Sequence, residues 1–218
     1  IWHDEVIGYL TIDSRTPDIY TESEVAMGQA FANQAAIAIQ NSRLYAEAQR
    51  LAITDPLTGL FNRRELFHIA GLEFERYRRY RRSFAIVMMD MDNFNVVNNT
   101  HGHLIGDEVL RIATRRMKSS MRASDTLSRY GGDEFMAILT EVDGEEALEI
   151  ARRMHAAAAG TPIITEDGHS IQVELSMGVA AVDDGVQTLD DLIERADQAL
   201  YAAKNSGRNQ AALWQPGA

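Results

Sequence analysis

Phe84-Ala85-Ile86-Val87-Met88-Met89 is an unbroken apolar run that ends in Asp90, and no other stretch constrains the fold as much. A strand that is apolar at every position cannot keep one face in water, so it reads as a central strand covered on both sides. Thr126 to Tyr130 and Phe135 to Thr140 are strand-like runs flanking Gly131-Gly132-Asp133-Glu134, a hairpin signal. Helical patterns run from about Asn62 to Arg82, Ile105 to Ser120, Glu145 to Ala158 and Leu189 to Asn205, with a stop at Gly160-Thr161-Pro162 and a further strand over Ile171 to Val182. The order is helix, strand, helix, hairpin, helix, strand, helix. It predicts an α+β fold, an antiparallel-containing central sheet flanked by helices, of the split βαβ type.

The N-terminal quarter is of another kind. Val6-Ile7-Gly8-Tyr9-Leu10-Thr11-Ile12 is a short strand signal, followed by a loop around Pro17. Thr21-Glu22-Ser23-Glu24 fits a capping box, and Met27, Ala30, Phe31, Ala35, Ile37, Ile39 and Leu44 follow at helical spacing. This long N-terminal helix should end before Asp55-Pro56. An Ala-rich helix of that length usually finds a partner helix. The 218 residues, 45% of them hydrophobic, suit one full domain plus a smaller attachment. Ile1 to Glu5 begins in mid-pattern and lacks the charged start of a signal peptide, as expected of a piece of a longer protein.

Composition removes several chemistries. There is no Cys, so disulfides and thiolate metal sites are out, and oxygen ligands become the default for any metal. A net charge of -11 argues against a general binder of nucleic-acid backbone. No apolar run approaches the roughly 20 residues that span a bilayer. Against that background the acids at Asp90 and Asp133-Glu134 stand out. Antiparallel neighbours would place them close together, where carboxylates repel unless a cation neutralises them. Mg²⁺ prefers oxygen and commonly bridges to substrate phosphates, so the pattern outlines a phosphoryl- or nucleotidyl-transfer site. Gly131 and Gly132 permit positive φ and close approach of a phosphate or another backbone.

Arg129-Tyr130-Gly131-Gly132-Asp133-Glu134-Phe135 resembles the signature of the GGDEF family of diguanylate cyclases. The resemblance opens at Asp55-Pro56-Leu57-Thr58-Gly59-Leu60-Phe61-Asn62-Arg63-Arg64 and continues through Asp90-Met91-Asp92-Asn93-Phe94, Asn98, Gly102-His103 and Gly106-Asp107. It proceeds through Ser176-Met177-Gly178-Val179-Ala180 and closes with Ala196-Asp197, Leu200-Tyr201 and Lys204-Asn205-Ser206-Gly207-Arg208-Asn209.

The resemblance implies a palm-like nucleotidyl cyclase fold over residues 51–218. It implies Mg²⁺ or Mn²⁺ held by Asp90, the Met91 carbonyl and Asp133, with Asp133 near the attacking 3′-hydroxyl and Glu134 as a second metal or structural acid. Asn98 and Asp107 match the guanine-reading pair, His103 a residue lining the ribose and base pocket, and Lys204 and Arg208 the contacts to the terminal phosphates. Gly131 and Gly132 would let nucleotide lie over the hairpin. The implied reaction joins two GTP into cyclic di-GMP across a homodimer of domains, with the long helix as a dimerising device and a cytoplasmic location. Residues 1–50 resemble the last strand and helix of a GAF sensor domain.

Arg122-Ala123-Ser124-Asp125 resembles the family's inhibitory site for its product, with Arg153 as companion. The sequence departs from the family at Asn95, usually Lys, and at Asn99, usually Asp. A catalytically weak domain that senses GTP or cyclic di-GMP is the alternative reading. A cyclase for adenine-containing dinucleotides is disfavoured by Asp107, which would face no N1–H donor. His68, His155 and His169 show no metal-ligand spacing, and Arg76, Arg78, Arg79, Arg81 and Arg82 read as a solvated helix face.

Overall fold

The structure, a computed structural model, describes Val6, residues 8–13, Arg15 and residues 20–216. The chain divides into two compact units, Ile1–Ala52 and Ile53–Ala218.

In the first unit, α1 spans Glu22–Ile53. Its start is the expected box: Glu24 N–H donates to Thr21 Oγ1 at 3.4 Å, and Thr21 N–H to a Glu24 oxygen at 2.7 Å. The Thr21 backbone and hydroxyl bonds hold the Glu24 carboxyl below its usual range. No residue of α1 is buried. The strand expected at Val6 to Ile12 is not formed at the described positions 6 and 8–12, and Ile7 and Pro17 lie outside the described residues. Two-stranded pairing is the minimum that satisfies strand backbone, and no described residue of the unit offers the second strand.

The second unit contains α2 (Arg63–Tyr80), β1 (Phe84–Asp92), α3 (Phe94–His101), α4 (His103–Ser119), β2 (Thr126–Arg129), β3 (Glu134–Thr140), α5 (Gly144–Ala159), β4 (Ile163–Ile164), β5 (Ser170–Ile171), β6 (Glu174–Ala181), α6 (Leu189–Asn205) and β7 (Ala211–Leu213). The main sheet runs in the order β2-β3-β1-β6-β7, antiparallel except for β6–β7. β1 is the central strand, as its apolar run requires. Ala85, Val87, Met89 and Met91 project into one core with residues of α4 and α5. Phe84, Ile86 and Met88 enter a second core with α2 and α6. The antiparallel-containing sheet flanked by helices, with a long N-terminal helix, is thus observed. No described helix is long and apolar enough to cross a membrane.

Three details differ from the sequence reading. The helix expected from Ile105 is preceded by a further one, α3, which meets α4 at Gly102, where φ is +85°. Ile171 to Val182 is interrupted: Gln172 Nε2 donates to Ala159 O and Val173 O, and β6 starts at Glu174. α2 stops at Tyr80, with Arg81 in the left-handed region at φ 55°. The Arg-rich end of α2 is largely neutralised at the surface, through Arg76–Glu73, Arg78–Glu75, Arg81–Asp184 and Arg82–Glu141.

Gly178 fixes how α6 lies on the sheet. A Cβ there would stand 2.1 Å from Leu200 N and 2.2 Å from Ala196 O, both helix backbone. Because backbone cannot rotate away as a side chain can, Gly178→Ala is expected to cost about 3 kcal/mol. A shift of the urea midpoint at unchanged m-value would measure it, and a midpoint within error of wild type would contradict the packing argument.

Candidate active site

β1 and β3 pair so that Asp90 faces Glu134, and Met91 N–H donates to Asp133 O at 3.2 Å. This register brings the end of the central strand beside the hairpin tip. An open cleft of about 220 Å³ results, lined by Asp90, Met91, Asp92, Asn93, Phe94, Asn95, Asp133, Lys204 and Arg208. Of the expected metal and phosphate residues, Asp90, Met91, Asp133, Lys204 and Arg208 are therefore together.

The electrostatics are those of a site short of positive charge. Burial pushes the Asp90 carboxyl up; Lys204 pulls it down, and Asp133 and Asp92 push it up again, leaving it above its usual range. Lys204 Nζ lies 2.8 Å from Asp90 Oδ1. Two carboxylates and the Met91 carbonyl are hard oxygen donors and suit a divalent cation such as Mg²⁺, which commonly takes one or two carboxylates and completes its shell with water and phosphate. No group of three or more His, Cys, Asp or Glu that could hold a metal occurs among the described residues, so a cation here would depend on such outside ligands.

Asp92 was not singled out by the sequence as a site residue. Its carboxylate accepts from Ser176 Oγ at 2.8 and 2.9 Å and from Asn209 N–H at 3.0 Å. Asn209 Oδ1 in turn is 2.8 Å from His155 Nε2, which gives His155 a defined partner. A hint lay in the acid–apolar–acid ending of β1, but nothing in the sequence ties Asp92 to residues 84 or more positions away.

Glu134, opposite Asp90 in the ladder, also lines a second cleft of about 520 Å³ with Arg63, Phe67, Met88, Tyr130, Asp190, Ile193, Glu194 and Asp197. Arg63 stacks over Tyr130 at 4.5 Å and donates to its hydroxyl at 3.2 Å. The glycines of the tip serve a purpose other than positive φ, which neither adopts. A Cβ on Gly131 would stand 2.4 Å from Glu134 Oε2, whereas one on Gly132 would meet nothing within 4 Å. Gly131 makes room for Glu134, and Gly132 leaves the tip open.

The expected base-binding residues lie on the next two helices. Asn98 is on α3, His103 begins α4, and Asp107 follows within it. α3 and α4 touch at Gly106, where a Cβ would stand 1.9 Å from Asn98 Oδ1, so Gly106 sets the position of the Asn98 amide. At the end of α4, Arg122 N–H donates to Asp125 Oδ2 at 3.0 Å, and Arg153 Nε reaches across from α5 to Ser120 O at 2.9 Å. Arg122 and Asp125 are thereby joined through the Arg122 backbone, Arg153 is tied to Ser120, and Asp125 Oδ1 is buried with no donor.

Residues 52–210 match the family model described as the diguanylate cyclase GGDEF domain. The chain is 38% identical over 173 residues to diguanylate cyclase DosC of Escherichia coli, covering 79% of this chain and 37% of that protein. It is 39% identical over 160 residues to the response regulator PleD of Caulobacter vibrioides, covering 73% and 35%. The chain therefore spans about a third of the length of these curated relatives. A solved GGDEF domain of TpbB (YfiN) from Pseudomonas aeruginosa superposes with TM-score 0.71 at 32% identity, covering 74% of this chain and 94% of that one. The coiled coil and GGDEF domain of DgcB from Caulobacter crescentus, in complex with c-di-GMP, superposes with TM-score 0.77 at 23% identity, covering 86% and 99%.

The tip is clasped to the segment before α2. Arg129 NH1 donates to both Asp55 oxygens at 3.1 and 3.2 Å and its NH2 to Gly132 O at 2.6 Å, while Asp55 also accepts from Thr58 N–H and Oγ1. Burial pushes the Asp55 carboxyl up, but Thr58 and Arg129 outweigh it and hold the group below its usual range. A carboxyl lowered by folding stabilises above its unfolded value, near about 3.9, and loses that contribution as pH falls through the folded value. Asp55→Asn is thus expected to lower stability by about 2 kcal/mol at neutral pH, with the gap from wild type closing below about pH 4. Thermal melts across that range test this, and a gap independent of pH would contradict it.

Proposed function

The chain belongs to the GGDEF family of diguanylate cyclases, and on that premise we propose that it condenses two GTP into cyclic di-GMP and two pyrophosphate. The observation that carries the proposal is the convergence of Asp90, Asp133, Lys204 and Arg208 on one cleft. Asp90, Met91 and Asp133 would hold Mg²⁺ or Mn²⁺, which when bound neutralises triphosphate charge and lowers the pKa of the attacking hydroxyl. Lys204 and Arg208 bind the terminal phosphates, Lys204 exchanging its bond to Asp90 for one to phosphate. Asp133 stands beside the 3′-hydroxyl as it attacks the α-phosphorus and pyrophosphate leaves. Glu134 acts as the structural acid: its carbonyl accepts from Tyr130 and Gly131 N–H, and its carboxyl folds over Gly131.

Asp107 accepts from guanine N1–H and the 2-amino group, and Asn98 and His103 complete the base and ribose pocket. A purine lacking N1–H leaves that carboxylate without a donor. One domain holds one GTP, so two domains must face each other for the bonds to form in both directions. Residues 1–50 are read as the end of a GAF-like sensor domain, whose strand would need neighbours that the described residues do not supply. Its helix offers Val25, Phe31 and Leu44, all at least 60% exposed, as apolar surface for self-association. A cytoplasmic site of action follows from a GTP substrate.

The second reading, a sensor of weak or no turnover, is favoured by one observation. Asn95, where the family has Lys, lines the cleft itself. Losing one charge-assisted bond to phosphate is worth about 1 to 2 kcal/mol. Incubating the protein with GTP and Mg²⁺ and resolving the products by chromatography decides between them. Cyclic di-GMP is expected, with Asp133→Asn lowering the rate by about a thousandfold while the circular dichroism spectrum stays unchanged. GTP binding without product at high protein concentration would establish the sensor.

Arg122, Asp125 and Arg153 are proposed as a product-inhibitory site. Guanidinium groups match guanine and phosphate in bidentate fashion, and a carboxylate such as Asp125 can accept from a guanine N–H. Arg122→Ala is expected to raise the inhibitory concentration of cyclic di-GMP by about tenfold. An inhibition curve that does not move would remove the site.

A further inference from the structure

We propose that Asp92 is a positioning residue that shapes the phosphate-binding turn after α6, an inference that rests on the nucleotide reading above. The turn is an unfavourable piece of backbone. Gly207, Arg208 and Asn209 follow one another at φ +115°, +60° and +49°, and only the first is a glycine. Consecutive non-glycine residues in the left-handed region persist only where surrounding structure over-determines them. What over-determines these two is a buried charge.

Asp92 is the last residue of β1, and its side chain is 1% exposed. Its Oδ2 accepts the N–H of Asn209 at 3.0 Å, and both oxygens accept from Ser176 Oγ on β6. Arg208 Nε lies 3.9 Å from Oδ1. The other side of the turn is fastened by Asn209 Oδ1, which accepts from Leu175 N–H at 3.4 Å and lies against His155 Nε2 on α5. Arg208 N–H donates to Ala203 O, tying the turn back to the helix that carries Lys204.

The consequence is that the strand carrying Asp90 also sets where Arg208 stands. β1 delivers Asp90 to the cation side of the cleft and, two residues on, uses Asp92 to hold the phosphate side. Both oxygens of Asp92 are already engaged by protein donors, so it acts through Arg208 and the turn and does not itself meet the ligand. The charge, and not only the hydrogen bonds, belongs to the device, because a buried carboxylate next to Arg208 biases the guanidinium toward the cleft wall. Asn at the same position could accept from Asn209 N–H and donate to Ser176, keeping the bonds and losing the attraction.

The test separates the triphosphate from the rest of the nucleotide. Affinities of the whole chain for α,β-methylene-GTP, which cannot release pyrophosphate, and for GMP are measured by calorimetry with Mg²⁺. Asp92→Ala is expected to weaken the triphosphate by about tenfold and GMP by no more than about twofold. Asp92→Asn, which should fold even if the alanine variant does not, is expected to weaken the triphosphate alone by about threefold. Equal losses for both ligands, or no loss for the triphosphate, overturn the positioning role while leaving the nucleotide reading intact. A wild-type chain that binds the triphosphate no better than GMP overturns both.

Discussion

Asp90 and Asp133 are held within mutual repulsion by the pairing of β1 with β3, and the organisation of the unit follows from that constraint. Neither backbone can shift freely: Asp90 lies within β1, the strand covered on both faces, and Asp133 sits on a tip clasped through Arg129. Strand pairing fixes Cα positions through a ladder of backbone bonds, each worth about 1 kcal/mol net, so the ladder easily outweighs the cost of crowding two partly solvated carboxylates. A cation at this place would relieve the repulsion. Lys204 relieves part of it by standing 2.8 Å from Asp90. A lysine on a flexible stem is suited to such a contact because its ammonium can reorient at little cost.

The second constraint is the close seating of α6 on β6. Lys204 lies in the last turn of α6, so its reach to Asp90 depends on the depth at which the helix sits. Gly178 permits that depth, and Leu192, Ala196, Ala199, Leu200 and Ala203 form the buried stripe that uses it. The small residues of α6 therefore serve the site as much as the core. Beyond the helix, the turn at Gly207 to Asn209 is kept in its unfavourable conformation by a carboxylate of the central strand. The two ends of the cleft, at Asp90 and at Arg208, are thus fastened to the same strand.

Most of this architecture was legible wherever a residue's role follows from its immediate neighbours. The apolar run of β1 announces a strand buried on both faces. Thr21 and Glu24 cap α1 through a box that a four-residue pattern encodes. The acids at Asp90 and Asp133 are readable because clustered carboxylates need a reason. What escaped is what depends on distant partners. α3 is only eight residues long and is bounded by Asn93 and Gly102, both at positive φ, so its period is too short to separate from a loop. The interruption before β6 comes from Gln172 reaching Ala159, a contact that no local pattern contains. The N-terminal strand, not formed at its described positions, fails for the opposite reason: its β-branched and apolar residues are a local signal, but strand structure is a property of pairs. Of the two reasons the sequence offers for the tip glycines, positive φ is not adopted, and Gly131 lies instead against the Glu134 carboxyl.

Asn95 shows how far a single departure can matter in such a cleft. Lys204 and Arg208 share the cleft with the start of α3. Asn93 there adopts φ 53° and makes no side-chain cap bond, and Phe94 and Asn95 line the cleft beside it. The first N–H groups of a helix mostly lack partners within it, so this end would offer backbone donors and the positive pole of the helix to an anion in the cleft. That contribution is worth about 0.3 to 1 kcal/mol, comparable to the net value of one exposed lysine. Substituting Asn for a charged residue at position 95 therefore removes one of several positive influences and spares those fixed by the backbone. The cleft loses affinity before it loses geometry, and geometry governs an in-line transfer.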